Sequence, residues 1–245
     1  MATITIQVGQ CGVQLGDAML SSLATTDETL YPFFSTSPSN LHDNFVPTAR
    51  AILVDTEPKV INKVVAAARD NFRYRPDCSL AISQGGAANN WARGYSSSSP
   101  SSDTMTSVID KVRRHMESID ASGGSSSLHI IHSMAGGTGS GLGCAITESL
   151  RTEFSNKTLI MNTVVAPFHS GEVIVQNYNA VLTLAALQAS SDLIVTYENE
   201  TASRACTKLY RVSASPHICR ARESERGRDC GEGRATFVPG ESAQL

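Results

Sequence analysis

The chain has 245 residues, of which 41% are hydrophobic, 18% charged and 6% aromatic, enough apolar material for one sizeable core. Its net charge of −3 is spread without a basic stripe, which argues against a nucleic-acid partner. No apolar run approaches the roughly 18 residues of a membrane span, and the opening MATITIQVGQ is not a signal peptide, so a cytoplasmic protein with no membrane partner is expected.

Residues 3–8, rich in β-branched side chains, predict a first strand. Gly9-Gln10-Cys11-Gly12-Val13-Gln14-Leu15-Gly16 follows and opens a helix. Glycines permit a tight turn there, and a helix N-terminus presents free N–H groups to an anion, with Gln10 and Gln14 adding amide donors. The same G-x-x-G-x-x-x-G pattern also reads as a plain turn before an ordinary helix. Residues 23–48 carry Pro32, Pro38 and Pro47 and no period, which predicts a long surface excursion.

A second strand, 49–54, runs into Asp55-Thr56-Glu57-Pro58 and a helix whose Val60, Ile61, Val64, Val65 and Ala68 share one face. Carboxylates beside a phosphate repel it unless a cation intervenes. Asp55 and Glu57 therefore point to Mg²⁺, which keeps several waters and takes only one or two carboxylates. Capping by acids at the positive end of the helix dipole is the alternative.

The third strand, 78–82, precedes Gly85-Gly86-Ala87-Ala88-Asn89-Asn90-Trp91, read as a flexible turn with two amides, with Trp91 as core packing. Ser-rich connectors at 96–102 and 122–127 bracket a helix whose Met105, Val108, Ile109, Val112, Met116 and Ile119 share a face. In the fourth strand, 128–132, His129 and His132 are three apart and point to opposite faces, so they make no metal pair. Then comes Ser133-Met134-Ala135-Gly136-Gly137-Thr138-Gly139-Ser140-Gly141, the strongest signal in the chain. Four glycines in six residues let backbone amides close around a di- or triphosphate, with the Thr138 and Ser140 hydroxyls at a helix N-terminus. No lysine follows, so G-x-x-x-x-G-K-[ST] chemistry is excluded.

A fifth strand, 159–165, leads to Glu172, Gln176 and another helix. The sixth, 193–197, ends in Glu198-Asn199-Glu200, where an Asn amide can meet both donors and acceptors of a purine edge, and a helix over 200–210 closes the pattern. This alternation predicts the α/β class, a doubly wound, mostly parallel six-stranded sheet with helices on both faces and a ligand outside the strands' carboxyl ends. Residues 213–245 show neither period and are expected to form an irregular or disordered tail behind a 1–212 domain. The six cysteines are scattered without a C-x-x-C pair, which predicts neither disulfides nor structural zinc.

GQCGVQLG, VDTEPKV, GGAANNWARGY, SMAGGTGSG, SGEVIVQNYN and the 198–200 loop occur in the order and context of the tubulin family, which the chain resembles from Met1 to about Val212. VDTEPKVIN, SMAGGTGSGLG with Ala135 in place of the usual first glycine, and GEVIVQNYN look most like its delta branch, associated with centrioles and basal bodies. The resemblance implies a GTP-binding domain with the nucleotide lying across the strand ends. It implies that Gln10, Cys11 and Gln14 touch phosphate, ribose or base, that Asp55 with Glu57 manages Mg²⁺, and that Ala135, Gly136, Gly137, Thr138, Gly139, Ser140 and Gly141 cradle the phosphates. Ser133, Asn89 and Glu172 would complete the phosphate and ribose shell, with Asn199 reading guanine. The implied cofactors are GTP or GDP with Mg²⁺. The implied partners are other tubulin subunits and centriolar or basal-body microtubules, in the cytoplasm and cytoskeleton.

The departures count too. The family's intermediate and C-terminal domains have no match here, and Gln176 fills the slot of an acidic nucleotide contact. GTP hydrolysis would be weak at most and completed by an acid from the next subunit, so no residue of this chain is assigned as a catalyst. Two other readings stand beside this one: a non-functional fragment, and a dinucleotide-dependent oxidoreductase. The second lacks G-x-G-x-x-G, and a second phosphate loop is superfluous for NAD.

Overall fold

The computed structural model describes residues 1–25, 30–35, 46–67, 71–82, 86–96, 103–154, 158–167 and 173–210. In chain order the elements are β1 (Ala2–Val8), α1 (Gly9–Ala24), α2 (Leu30–Phe33), β2 (Phe34–Ser35), β3 (Thr48–Ala49), β4 (Ala51–Asp55), α3 (Pro58–Ala66), β5 (Ser79–Ala81), α4 (Trp91–Ser96) and α5 (Asp103–Asp120). After these come β6 (Ser126–Ser133), a turn of π-helix (Thr138–Leu142), α6 (Gly143–Glu153), β7 (Leu159–Ala166), α7 (Gln176–Ser190), β8 (Leu193–Glu198) and α8 (Asn199–Tyr210). The expected tail, the connector at 97–102 and Glu172 lie outside the described residues.

Six strands form one sheet in the order β5-β4-β1-β6-β7-β8, and every pairing in it is parallel. The strand order reverses between β1 and β6, which is where a doubly wound sheet opens a crevice. The two sides of the sheet follow the period-2 alternation of each strand. Ile4, Ile6 and Val8 join Ile52, Val54, Leu128 and Ile130 on one side, covered by Met105, Val108 and Val112 of α5 and by Ile146 and Leu150 of α6. On the other side Val13 and Leu20 of α1 and Ile61 and Val64 of α3 pack with Ala51 and Leu53. Helix α1 lies so close to the sheet that a Cβ on Gly12 would stand 2.2 Å from the Ile131 carbonyl oxygen.

The expected strand over 49–54 is in fact two. Thr48–Ala49 pairs antiparallel with Phe34–Ser35, and only Ala51–Asp55 enters the main sheet. Arg50 makes the break: its N–H donates to Phe33 O at 2.9 Å, its guanidinium to Phe34 O, and its carbonyl accepts from Thr5 N–H at 2.8 Å. Phe34 and Phe72 meet edge to face beneath this small sheet, with ring centroids 5.6 Å apart. Part of the predicted surface excursion is therefore ordered and anchored.

His129 and His132 lie on opposite sides of the sheet, as their spacing requires. His129 Nε2 meets Thr163 Oγ1 at 2.8 Å and His132 Nε2 meets Asn162 Oδ1 at 3.3 Å. Among the described residues no group of three or more His, Cys, Asp or Glu could hold a metal, and no helix is long and apolar enough to cross a membrane. The described cysteines Cys11, Cys78, Cys144 and Cys206 are free thiols.

Burial pushes His129 and His132 down to about 4, and burial together with the Arg75 charge does the same to His115. An unfolded histidine titrates near 6.5, so between about 6.5 and 4 the unfolded chain binds more protons and stability falls as pH falls. Asp55, raised to about 6 by burial, acts in the opposite sense over about 4 to 6, but it is one group against three. Urea unfolding at pH 7.5 and pH 5 is expected to show a lower midpoint at pH 5, reflecting a loss of unfolding free energy on the order of a few kcal/mol. An unchanged midpoint would mean that these imidazoles are not held neutral by the fold.

Candidate nucleotide site at the strand reversal

The site grows from the exits of β1 and β6, the two strands that flank the reversal. Gly9 leaves β1 at φ +71, a left-handed conformation that lets the chain pass from strand to helix within one residue. A Cβ there would stand 3.0 Å from the Gly139 nitrogen, so the first loop and the glycine loop meet backbone to backbone. Thr138 lies beside them, and its hydroxyl is 2.9 Å from that of Thr56, which brings in the loop after β4.

That loop carries the predicted metal pair. Asp55 is buried, and burial raises its carboxyl to about 6 although Glu57 N–H and the Thr56 hydroxyl approach Oδ1 at 3.4 and 3.5 Å. Glu57 is exposed, with Oε1 3.1 Å from where a Cβ on Gly86 would sit, so the loop after β5 joins the group. Two carboxylates and two hydroxyls form a hard-oxygen donor set, short of a full protein cage. This fits Mg²⁺, whose remaining ligands are usually waters and phosphate oxygens.

The glycine loop divides its residues between two tasks. A Cβ on Gly137 would meet the Asn90 nitrogen at 2.6 Å, and one on Gly141 would meet the Trp91 carbonyl oxygen at 2.1 Å. Gly141 serves the packing of the π-helical turn on α4, and Gly137 the packing of the glycine loop on the residues just before α4. Ser140 is fully buried and donates its hydroxyl to the Gly136 carbonyl. Gly136 is different: the nearest atom to a Cβ there is Asn89 Oδ1, at 3.8 Å. The open side of the loop is thus over Gly136, between Ala135, whose N–H donates to Ser133 Oγ at 3.1 Å, and the exposed Asn89. Such a loop can present backbone N–H groups and a helix start to an anion.

Gln10, Cys11 and Gln14 stand on the first turns of α1, next to Gly9. Burial pushes the Cys11 thiol up to about 11, so it is an uncharged thiol at neutral pH. Gln14 Oε1 is buried without a partner among the described residues, as expected of an amide that has yet to meet a donor. Asn199 begins α8 beyond β8, and its Nδ2 donates to Ala166 O at 3.2 Å, tying the ends of β7 and β8 together. Glu172 lies outside the described residues.

Two participants were not apparent from the sequence. Thr56 sits within the quoted VDTEPKV, but only the fold puts its hydroxyl on Thr138. Asn179, within the quoted SGEVIVQNYN, is 4% exposed; its Oδ1 accepts from Trp91 N–H at 3.1 Å while Nδ2 donates to Asn89 O and Ala135 O, both at 2.8 Å. Trp91 itself stacks on Tyr95 with centroids 4.6 Å apart, a packing role as the sequence predicted.

Comparison with known proteins gives this arrangement its kinship. Residues 2–207 match the model of the Tubulin/FtsZ family, GTPase domain. The chain is 40% identical over 230 residues to the tubulin delta chain of Macaca fascicularis, covering 86% of this chain and 48% of that protein. It is 38% identical to the tubulin delta chain of Homo sapiens, with the same coverage, and 34% identical to the tubulin gamma chain of Saccharomyces cerevisiae, covering 85% of this chain and 45% of that one. The chain thus spans about half the length of these relatives. The oxidoreductase reading does not survive a family match over this range. With the glycine loop, the acidic loop and the β1 exit converging at one strand reversal, the chain belongs to the Tubulin/FtsZ family and carries its GTPase domain.

Proposed function

We propose that this chain binds guanine nucleotide at the β1/β6 reversal, with Mg²⁺ accompanying the triphosphate, as a cytoskeletal protein of the delta-tubulin type. The observation that carries the reading is the meeting of Gly9, Gly139, Thr138 and Thr56 beneath an open Gly136, with the buried Asp55 alongside. Phosphates would lie over Ala135 and Gly136. Asp55 and Glu57 would hold the cation, which supplies positive charge between carboxylates and phosphate. Gln10, Gln14 and Asn89 would add amide contacts, Glu172 would serve the ribose, and Asn199 would read the base. The partners are other tubulin subunits, and centriolar or basal-body microtubules are the assemblies suggested by the delta-chain relatives.

Competition against labelled GTP tests the reading. GTP and GDP are expected to displace the label while ATP displaces it at least tenfold less well, and EDTA is expected to weaken GTP more than GDP. Displacement by ATP as effective as by GTP would sink the guanine assignment.

Gly136→Val offers a sharper probe of the loop. Space around Gly136 admits the side chain, so the variant should fold, yet valine fills the open side of the loop backbone. Affinity for GTP is expected to fall at least tenfold with the unfolding midpoint close to that of the unsubstituted chain. Full affinity in the folded variant would move the phosphates elsewhere.

Hydrolysis is a separate matter, because positioning of the attacking water supplies much of the rate in phosphoryl transfer. With Asp55 and Glu57 committed to the cation, water positioning would fall to a neighbouring subunit. Phosphate release per chain should therefore be slow and should rise with protein concentration. Fast release independent of concentration would place the positioning group inside this chain.

A further inference from the structure

We infer that Asn179 is the positioning residue of the site, a side chain that ties the loop after β5 to the glycine loop. The inference rests on the nucleotide reading above and names the element that sets the geometry of the phosphate approach.

Asn179 lies on α7, one turn after Gln176, on the helix face that also buries Thr183 and Leu187. Its backbone is fully engaged in the helix: the N–H donates to Val175 O at 3.0 Å and the carbonyl accepts from the Thr183 hydroxyl at 2.7 Å. The side-chain amide is therefore free to act across elements, and it does so three times. Both of its N–H donors are used on carbonyls of the two loops, Asn89 and Ala135, and its oxygen takes the first N–H of α4. A primary amide carries two donors and one acceptor oxygen on one rigid plane, a combination that neither a carboxylate nor a hydroxyl provides.

The bonded segments are ones that need holding. Ala88 and Asn89 sit at φ 47 and φ 54, a left-handed pair that is strained for a residue with a Cβ. Such a conformation persists only where the surroundings over-determine it, and the Asn179 amide on the Asn89 carbonyl is a direct restraint. The second donor grips Ala135, the residue before Gly136. Together the two bonds set the distance between the Asn89 side chain and the open face of Gly136, the gap a phosphate would enter.

The test compares the full chain with N179D and N179S, measuring affinity for labelled GTP with Mg²⁺, unfolding midpoint and emission of Trp91, the one tryptophan of the chain. Aspartate keeps the acceptor for Trp91 N–H and removes both donors. N179D is expected to retain the wild-type Trp91 emission while binding GTP at least tenfold more weakly. Its deficit relative to wild type at the same pH should shrink as pH falls and the acid regains a donor. N179S introduces no charge and is expected to lose affinity at least fivefold, so it decides the matter if N179D does not fold. Affinity within twofold of wild type in either folded variant would overturn the assignment, as would a deficit in N179D that ignores pH. If the wild-type chain itself fails to bind GTP, the nucleotide reading falls and this role falls with it. Wild-type binding with an unaffected variant removes only the role of Asn179.

Discussion

Everything in this domain depends on backbones meeting where side chains would not fit. At the reversal between β1 and β6 the exit of one strand passes the loop of the other, with Gly9 at φ +71 and 3.0 Å of clearance from its Cβ position to the Gly139 nitrogen. A parallel sheet leaves such a crevice by topology alone, since consecutive crossovers depart in opposite directions from the central strands. With no side chain at position 9, the β1 exit and the glycine loop meet backbone to backbone there. Without that glycine the helix α1 could not begin on the residue that directly follows β1, and the first turn of α1 would swing away from the glycine loop.

From that contact the remaining loops are added by ordinary polar chemistry. Thr56 reaches Thr138 hydroxyl to hydroxyl, which fixes where Asp55 stands relative to the glycine loop. Asp55 is thereby a carboxylate kept from water, and its raised value of about 6 measures the cost of that placement. The three histidines pushed to about 4 tell the same story from elsewhere in the molecule, where imidazoles are tolerated in a dry interior because they are neutral and two of them are hydrogen-bonded. Surface ion pairs such as Arg75–Asp77 and Arg113–Glu153 add little by comparison, being substantially exposed.

The longer strands were legible because they are rich in β-branched residues, as Thr3, Ile4, Thr5, Ile6 and Val8 are in β1, while the three-residue β5 was legible only from the apolar residues that flank it. Three features were not legible. Two-residue strands such as Phe34–Ser35 have no period to detect, and Arg50, which splits the expected second strand, acts through hydrogen bonds to residues 16 or more positions away in the chain. The helix α4 was not predicted: its six residues are too few to show a period and include Gly94, whose missing side chain is required by the glycine loop packed against it. The candidate site was legible as a set of loops and illegible as a set of contacts. Sequence marks Asn89, Ala135 and Thr138 as neighbours of a ligand, but the residue that joins the first two arrives on a helix ninety residues away.

Helix α7 shows why that residue was hidden. A surface helix normally buries its apolar stripe and exposes its polar one. Here the buried positions are Gln176, Asn179, Thr183, Leu187 and Ser190, while Tyr178, Val181, Leu182 and Leu184 face outward. Reading hydrophobicity along the helix therefore points the wrong way. An inward polar face is stable only if its groups find partners, because an unpaired buried amide costs roughly 1–3 kcal/mol. Asn179 finds three, Thr183 bonds the carbonyl one turn back, and Ser190 does the same with Ala186. Partners for Asn179 exist only because two loops at the sheet edge turn their carbonyls toward it. The inverted helix and the loops that frame the crevice are thus one structure: the loops satisfy the buried amide of Asn179, and that amide in turn ties the two loops together.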